Sequence, residues 1–170
     1  METKSKGGSL PPATRIGHVH LKVADLDRSI AFWRDGIGFE VTQLYGRQAA
    51  FLSADGYHHH LGLNTWESHG GHPPAPGTTG LFHVAVLLPT REALSAAVNR
   101  VLRAGVALEG AADHGVSQAV YLRDPDGNGV ELYWDYPVSQ WPRDRAGNRS
   151  MVTEPLDLAA LLALSPEPSV

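Results

Sequence analysis

The sequence predicts an α+β protein of two βαβββ modules whose sheets bend toward each other around a polar cup. Three observations predict it. Short alternating apolar runs are punctuated by Gly-containing turns, as half-buried strands are. Two windows, 16–66 and 81–135, run through the same order of strand, helix and three strands. Within them GHVHLKV and LFHVAVLL line up with His18 on His83, the mark of an internal repeat.

The elements follow in order. Ile16 to Val23 alternates, with Val19, Leu21 and Val23 on one face and His18, His20 and Lys22 on the other. Asp25 or Asp27 caps a short helix with an apolar side of Ile30, Phe32, Trp33 and Ile37, and Gly36 and Gly38 mark its end. Phe39 to Leu44, Gln48 to Ser53 and His58 to Trp66 complete the first module, with turns at Gly46 and Gly56. The second module opens with Leu81 to Leu88. Thr90 caps a helix with Leu94, Val98, Val101 and Leu102 on one side, and Gly105 ends it. Val106 to Leu108, Ser117 to Arg123 and Gly129 to Trp134 are its later strands, with DPDGNG turning between the last two. The expected organisation is a flexible lead over 1–15, module one over 16–66, a Gly/Pro-rich linker over 67–80, module two over 81–135, and a C-terminal extension over 136–170. In that extension LDLAALLAL reads as a short helix started by Thr153 and Pro155, either strapped on the domain or presented to a second subunit.

Composition removes several classes. The chain has 170 residues, 42% of them hydrophobic, enough for a real core. The formal net charge of -4, with no long basic stretch, argues against nucleic acid as a partner. There is no cysteine, which excludes disulfides, thiolate metal sites and a Cys nucleophile and fits a cytoplasmic location. No apolar run reaches the length of a membrane span, and the N-terminus lacks the apolar core of a secretory signal.

Nine histidines stand at 18, 20, 58, 59, 60, 69, 72, 83 and 114. Without cysteine, a metal site here must use imidazole and carboxylate. His18 and His83 hold matching places on the first strands of the two modules, and Glu131 lies inside the last strand of module two, opposite Val130 and Leu132. An ionised carboxylate within a strand needs a partner if it is buried. Two imidazoles and one carboxylate facing a cup are the ligand set of a facial triad, which leaves positions open for substrate and oxygen. The alternative is that these are solvated strand faces.

GHVHLKVADLDRSIAFWRDGIGFE resembles the opening, and YLRDPDGNGVELYW the closing segment, of modules in the vicinal oxygen chelate superfamily. This group contains glyoxalases, bleomycin-resistance proteins and extradiol dioxygenases. YHHHLGLNTW followed by GTTGLFHVAV is similar to catechol 2,3-dioxygenase-like members. The resemblance covers 16–135 and implies a cupped, half-open β-barrel around one metal, held by His18, His83 and Glu131. It further implies catalytic roles for His114 and Tyr121 in DHGVSQAVYL, with His60, His20, Phe82 and Tyr133 lining the substrate site. His60 falls near the place where glyoxalases carry a further ligand. The implied function is an extradiol dioxygenase using a divalent metal, Fe(II) first and Mn, Zn, Ni or Co as alternatives. Its partners would be a small aromatic substrate, dioxygen and a second copy of the chain in a homodimer. The competing readings are a metal-dependent lyase, isomerase or epimerase of the same fold, and a metal-free protein that sequesters an aromatic antibiotic or toxin.

Overall fold

The computed structural model describes Gly8 and residues 10–165. Residues 1–7, 9 and 166–170, which include part of the expected lead and the end of the C-terminal extension, lie outside the described residues. The first half contains β1 (Val19–Lys22), α1 (Leu26–Ala31) running into a π-helical turn (Phe32–Ile37), β2 (Glu40–Tyr45), β3 (Ala49–Ser53) and β4 (Leu61–Asn64). The second contains β5 (His83–Leu87), α2 (Arg91–Arg103), β6 (Leu108–Asp113), β7 (Ser117–Arg123) and β8 (Gly129–Asp135). A short β9 (Glu154–Pro155) and α3 (Leu158–Leu162) follow. The strands form a four-stranded sheet, β1-β4-β3-β2, and a five-stranded sheet, β5-β8-β7-β6-β9. In both, the helix carries the chain across so that the first strand lies parallel to the last strand of its half. The fold is the mixed α+β arrangement that the repeated pattern predicts.

Local chemistry sets the boundaries. Asp25 caps α1 by accepting from Arg28 N at 2.9 Å, and Thr90 caps α2 by accepting from Ala93 N at 3.1 Å. Gly38, at φ 107°, takes the left-handed conformation that ends the first helical segment. Alternation on β1 puts Leu21 and Val23 in the core and leaves His20 and Lys22 exposed. Trp33, Leu52, Leu63, Leu94, Val98, Leu122 and Leu132 belong to one apolar cluster that draws on both halves.

Some elements differ from the sequence expectation. Strand β1 begins after His18, and β4 begins after the three-histidine run, so these rings stand on connections rather than on pleated strand. The strand expected at 106–108 is instead Leu108–Asp113. Gly110, Ala111 and Ala112 have weak strand preference, but β7 pairs along one edge and β9 along the other. The last helix starts after Asp157, whose side chain accepts from Ala160 N at 2.9 Å. Pro155 lies in β9. Leu161 is fully buried, and Leu162 O accepts from Ser95 Oγ and Asn99 Nδ2, so α3 straps α2.

Two polar ties join the halves. Arg100, on α2, donates to the carbonyls of Gly36 and Ile37 at the end of the first helical segment. Asp126, in the DPDGNG turn, accepts from Ala24 N at 3.0 Å, Arg28 Nη2 at 2.7 Å and Ser29 Oγ at 3.1 Å at the start of α1.

Candidate metal centre

Sheet register assembles one side of the site. Strand β5 pairs with β8 so that His83 faces Gly129 and Ala85 faces Glu131, and β7 pairs with β8 so that Tyr121 faces Glu131. Period-two alternation therefore puts His83, Glu131, Tyr121 and Tyr133 on one face. A Cβ on Gly129 would run into Phe82 O, so only glycine lets β8 approach the residue before His83 this closely. His83 Nε2 lies 3.0 Å from Glu131 Oε2. The Tyr121 hydroxyl is 3.2 Å from Glu131 Oε1 and 2.7 Å from His114 Nε2. The result is a continuous path, His83, Glu131, Tyr121, His114, drawn from β5, β8, β7 and the β6–β7 turn.

Electrostatics keep the tyrosine protonated. Burial, and then the negative charge of Glu131, push the Tyr121 phenol up to about 12. Burial also raises Tyr133, with Asp135 and Glu131 adding to the effect. One phenolic proton cannot serve Glu131 and His114 together. When it is donated to Glu131, His114 must donate from Nε2; when it is donated to His114, that nitrogen is bare.

The first half presents a second group of imidazoles. The rings of His18 and His59 lie 4.4 Å apart, and His59 also packs against Phe51. His20 lies beside Trp66 and over Gly62, where a Cβ would stand 2.9 Å from its ring. Burial and the neighbouring His18 lower both His20 and His59 from the ordinary imidazole value, which favours the neutral form that binds metals.

The sequence-predicted residues thus fall into two groups. His83, Glu131, Tyr121 and His114 come together, with Tyr133 on their face. Phe82 is 81% exposed and packs on His83, beside a shallow pocket of about 290 Å³ that Tyr121 and Arg123 also line. His18 and His20 form the other group. Among the described residues, no three His, Asp or Glu side chains converge tightly enough to hold an ion. His60 is held by Ser53 Oγ at 3.3 Å and Asp55 at 3.8 Å. His59, whose ring packs at a tilt against His18, was not among the expected site residues; the strand expected from His58 begins only at Leu61, so this ring sits on a connection.

The donor set fits a divalent ion in part. Two ligand atoms each about 2.1 Å from one ion, at right angles, stand about 3 Å apart. That is the His83 to Glu131 separation. His83 Nδ1 is buried without a hydrogen-bond partner, so the ring is committed to no other polar contact among the described residues.

A family model described as the glyoxalase/bleomycin resistance protein/dioxygenase superfamily matches residues 15–132. The chain is 44% identical over 154 residues to a catechol-2,3-dioxygenase of Bacillus subtilis, covering 91% of this chain and 53% of that protein. It is 33% identical over 122 residues to biphenyl-2,3-diol 1,2-dioxygenase 3 of Rhodococcus globerulus, covering 71% and 63%. The chain thus spans little more than half the length of these relatives. A glyoxalase/dioxygenase crystal structure from Nostoc punctiforme superposes with a TM-score of 0.61 at 20% identity, covering 78% of this chain and all of that one. That likeness concerns the fold.

Proposed function

Because the chain belongs to the glyoxalase/bleomycin resistance protein/dioxygenase superfamily, we propose that it is a metal-dependent, extradiol-type ring-cleaving dioxygenase acting on a catecholic or related small aromatic compound. The observation that carries this reading is the path from His83 through Glu131 and Tyr121 to His114, which sets an ion-binding pair beside two groups able to hold a proton. The named dioxygenases among the relatives support the same chemistry.

In this reading His83 and Glu131 would hold Fe(II), and His18 would complete the triad by giving up its contact with the His59 ring. An ion held there would supply Lewis acidity that lowers the pKa of a catechol hydroxyl. The chain's own residues handle the remaining proton. His114 Nε2 takes it from the second hydroxyl and returns it as the ring opens. Tyr121, protonated at neutral pH, stands between His114 and Glu131 and donates its one proton to the substrate oxygen when substrate is bound. Phe82 and Tyr133 provide apolar surface for the aromatic ring, and His20 and His60 border it. Both atoms of dioxygen enter the product as one ring C–C bond breaks, so no external reductant is required.

The test is anaerobic loading with Fe(II), followed by oxygen uptake over a panel of catechols, watched for yellow ring-opened products. Uptake with a coloured product is expected. Stoichiometric iron binding without uptake on any catechol would move the site to a lyase or isomerase reaction, and no metal binding at all would favour a sequestering protein.

A further inference from the structure

The C-terminal segment reaches the site. Val152 and His114 are clasped twice: Val152 N donates to His114 O at 3.1 Å, and His114 Nδ1 lies 3.0 Å from Val152 O. Thr153 Oγ1 stands 3.4 Å from the same ring nitrogen. The next residues, Glu154 and Pro155, pair as β9 with Asp113 and Ala112, which fixes the segment against the strand that leads into His114. From below, His114 N donates to Ser117 O at 2.8 Å, so backbone bonds hold the residue on both sides. Gly115 makes the close approach possible. Its φ is +73°, and a Cβ there would stand 2.9 Å from Pro142 Cγ and 3.3 Å from Val152 Cγ2.

A carbonyl oxygen only accepts. The His114 nitrogen facing Val152 O must therefore carry a proton, and in a neutral imidazole the other nitrogen is then bare. That other nitrogen, Nε2, is the one beside Tyr121. We propose that Val152 is a positioning residue: its backbone carbonyl, brought in by the C-terminal segment, sets the His114 tautomer with Nδ1 protonated and Nε2 free to accept a proton in the site. A free imidazole held only at Tyr121 could present either tautomer, and the Nε2-protonated form would turn its one bare nitrogen, Nδ1, away from the site. The segment that looks like a trailing strap thus decides whether His114 works as a base. The proposal rests on the reading of His114 as the proton acceptor, but the tautomer can be observed without turnover.

The experiment is long-range proton–nitrogen NMR of the imidazoles in metal-free, full-length protein, with His114 assigned by His114→Gln. The expected signal is an Nδ1-protonated ring; an Nε2-protonated ring with bare Nδ1 overturns the proposal. Val152→Pro removes the N–H that binds His114 O, and Gly115→Ala pushes a methyl group against Val152. In whichever of these remains folded by circular dichroism, the proton should shift toward Nε2, whereas Val152→Ala, which keeps both backbone groups, should match the parent. An unchanged tautomer in the folded variants also overturns it. In the iron-loaded enzyme the same two variants should lose about tenfold or more in kcat with KM and iron content held. A tautomer that moves as expected in a protein that consumes no oxygen would leave the positioning role standing and remove the dioxygenase reading.

Discussion

Glu131 is the residue on which the site turns, because it touches both the imidazole of His83 and the hydroxyl of Tyr121. Two substitutions separate those contacts. His83→Ala removes one neutral donor and should abolish stoichiometric binding of a divalent ion, read by calorimetry; undiminished stoichiometry would rule His83 out as a ligand. Tyr121→Phe keeps the ring and deletes the link to His114. It should leave the metal content within error and lower kcat by about 10–100-fold, the size of effect expected when a proton-handling contact is lost. If kcat and metal content are both unaltered, Tyr121 serves only as packing. His83 and Glu131 were legible in the sequence as polar residues set into otherwise apolar strands, whereas Tyr121 entered only through the family resemblance; register sets it opposite Glu131 because the two lie ten apart across the DPDGNG turn. His59 was not legible, because its contact with His18 depends on the path of a connection, which carries no periodic signal.

Among the elements, the β6–β7 hairpin carries a polar network centred on Asp113. Asp113 accepts from Tyr136 Oη at 2.6 Å, Gln118 Nε2 at 3.0 Å and Gly115 N at 2.8 Å. Burial alone would raise its carboxyl, but these bonds prevail and hold it below the usual carboxylate range. A depressed folded pKa contributes stability that is complete above the unfolded value, about 3.9, and is lost as pH falls through the folded value. Asp113→Asn should therefore narrow the gap in stability between neutral pH and pH 3, measured by urea unfolding at each pH; an acid dependence identical to the parent would show that the network does not couple to folding. Helix α2 was readable from its Thr90 cap and its i, i+4, i+7 apolar spacing, whereas β6 was readable only in part, since alanines and a glycine become strand through the partners on either side.

At the scale of the whole molecule, the two halves are locked within one chain by Arg100 and by Asp126. Asp126 is 8% exposed and serves three donors of the other half, so Asp126→Ala would strand the buried Ser29 hydroxyl and the Ala24 N–H and release the half-exposed Arg28. The expected loss is about 2–3 kcal/mol of unfolding free energy, read by denaturant titration; a loss below about 0.5 kcal/mol, the scale of an ordinary surface substitution, would mean that the turn is not a clamp. Among the described residues, no helix is long and apolar enough to cross a membrane. The two halves also differ at one matched pleat beside the site. Aligning His18 with His83 and reading across each first strand to its parallel partner sets Gly62 in the place that Glu131 occupies in the other half. Glu131 in one half thus answers to a glycine under the His20 ring in the other, and placing a carboxylate at residue 62 would first have to evict His20.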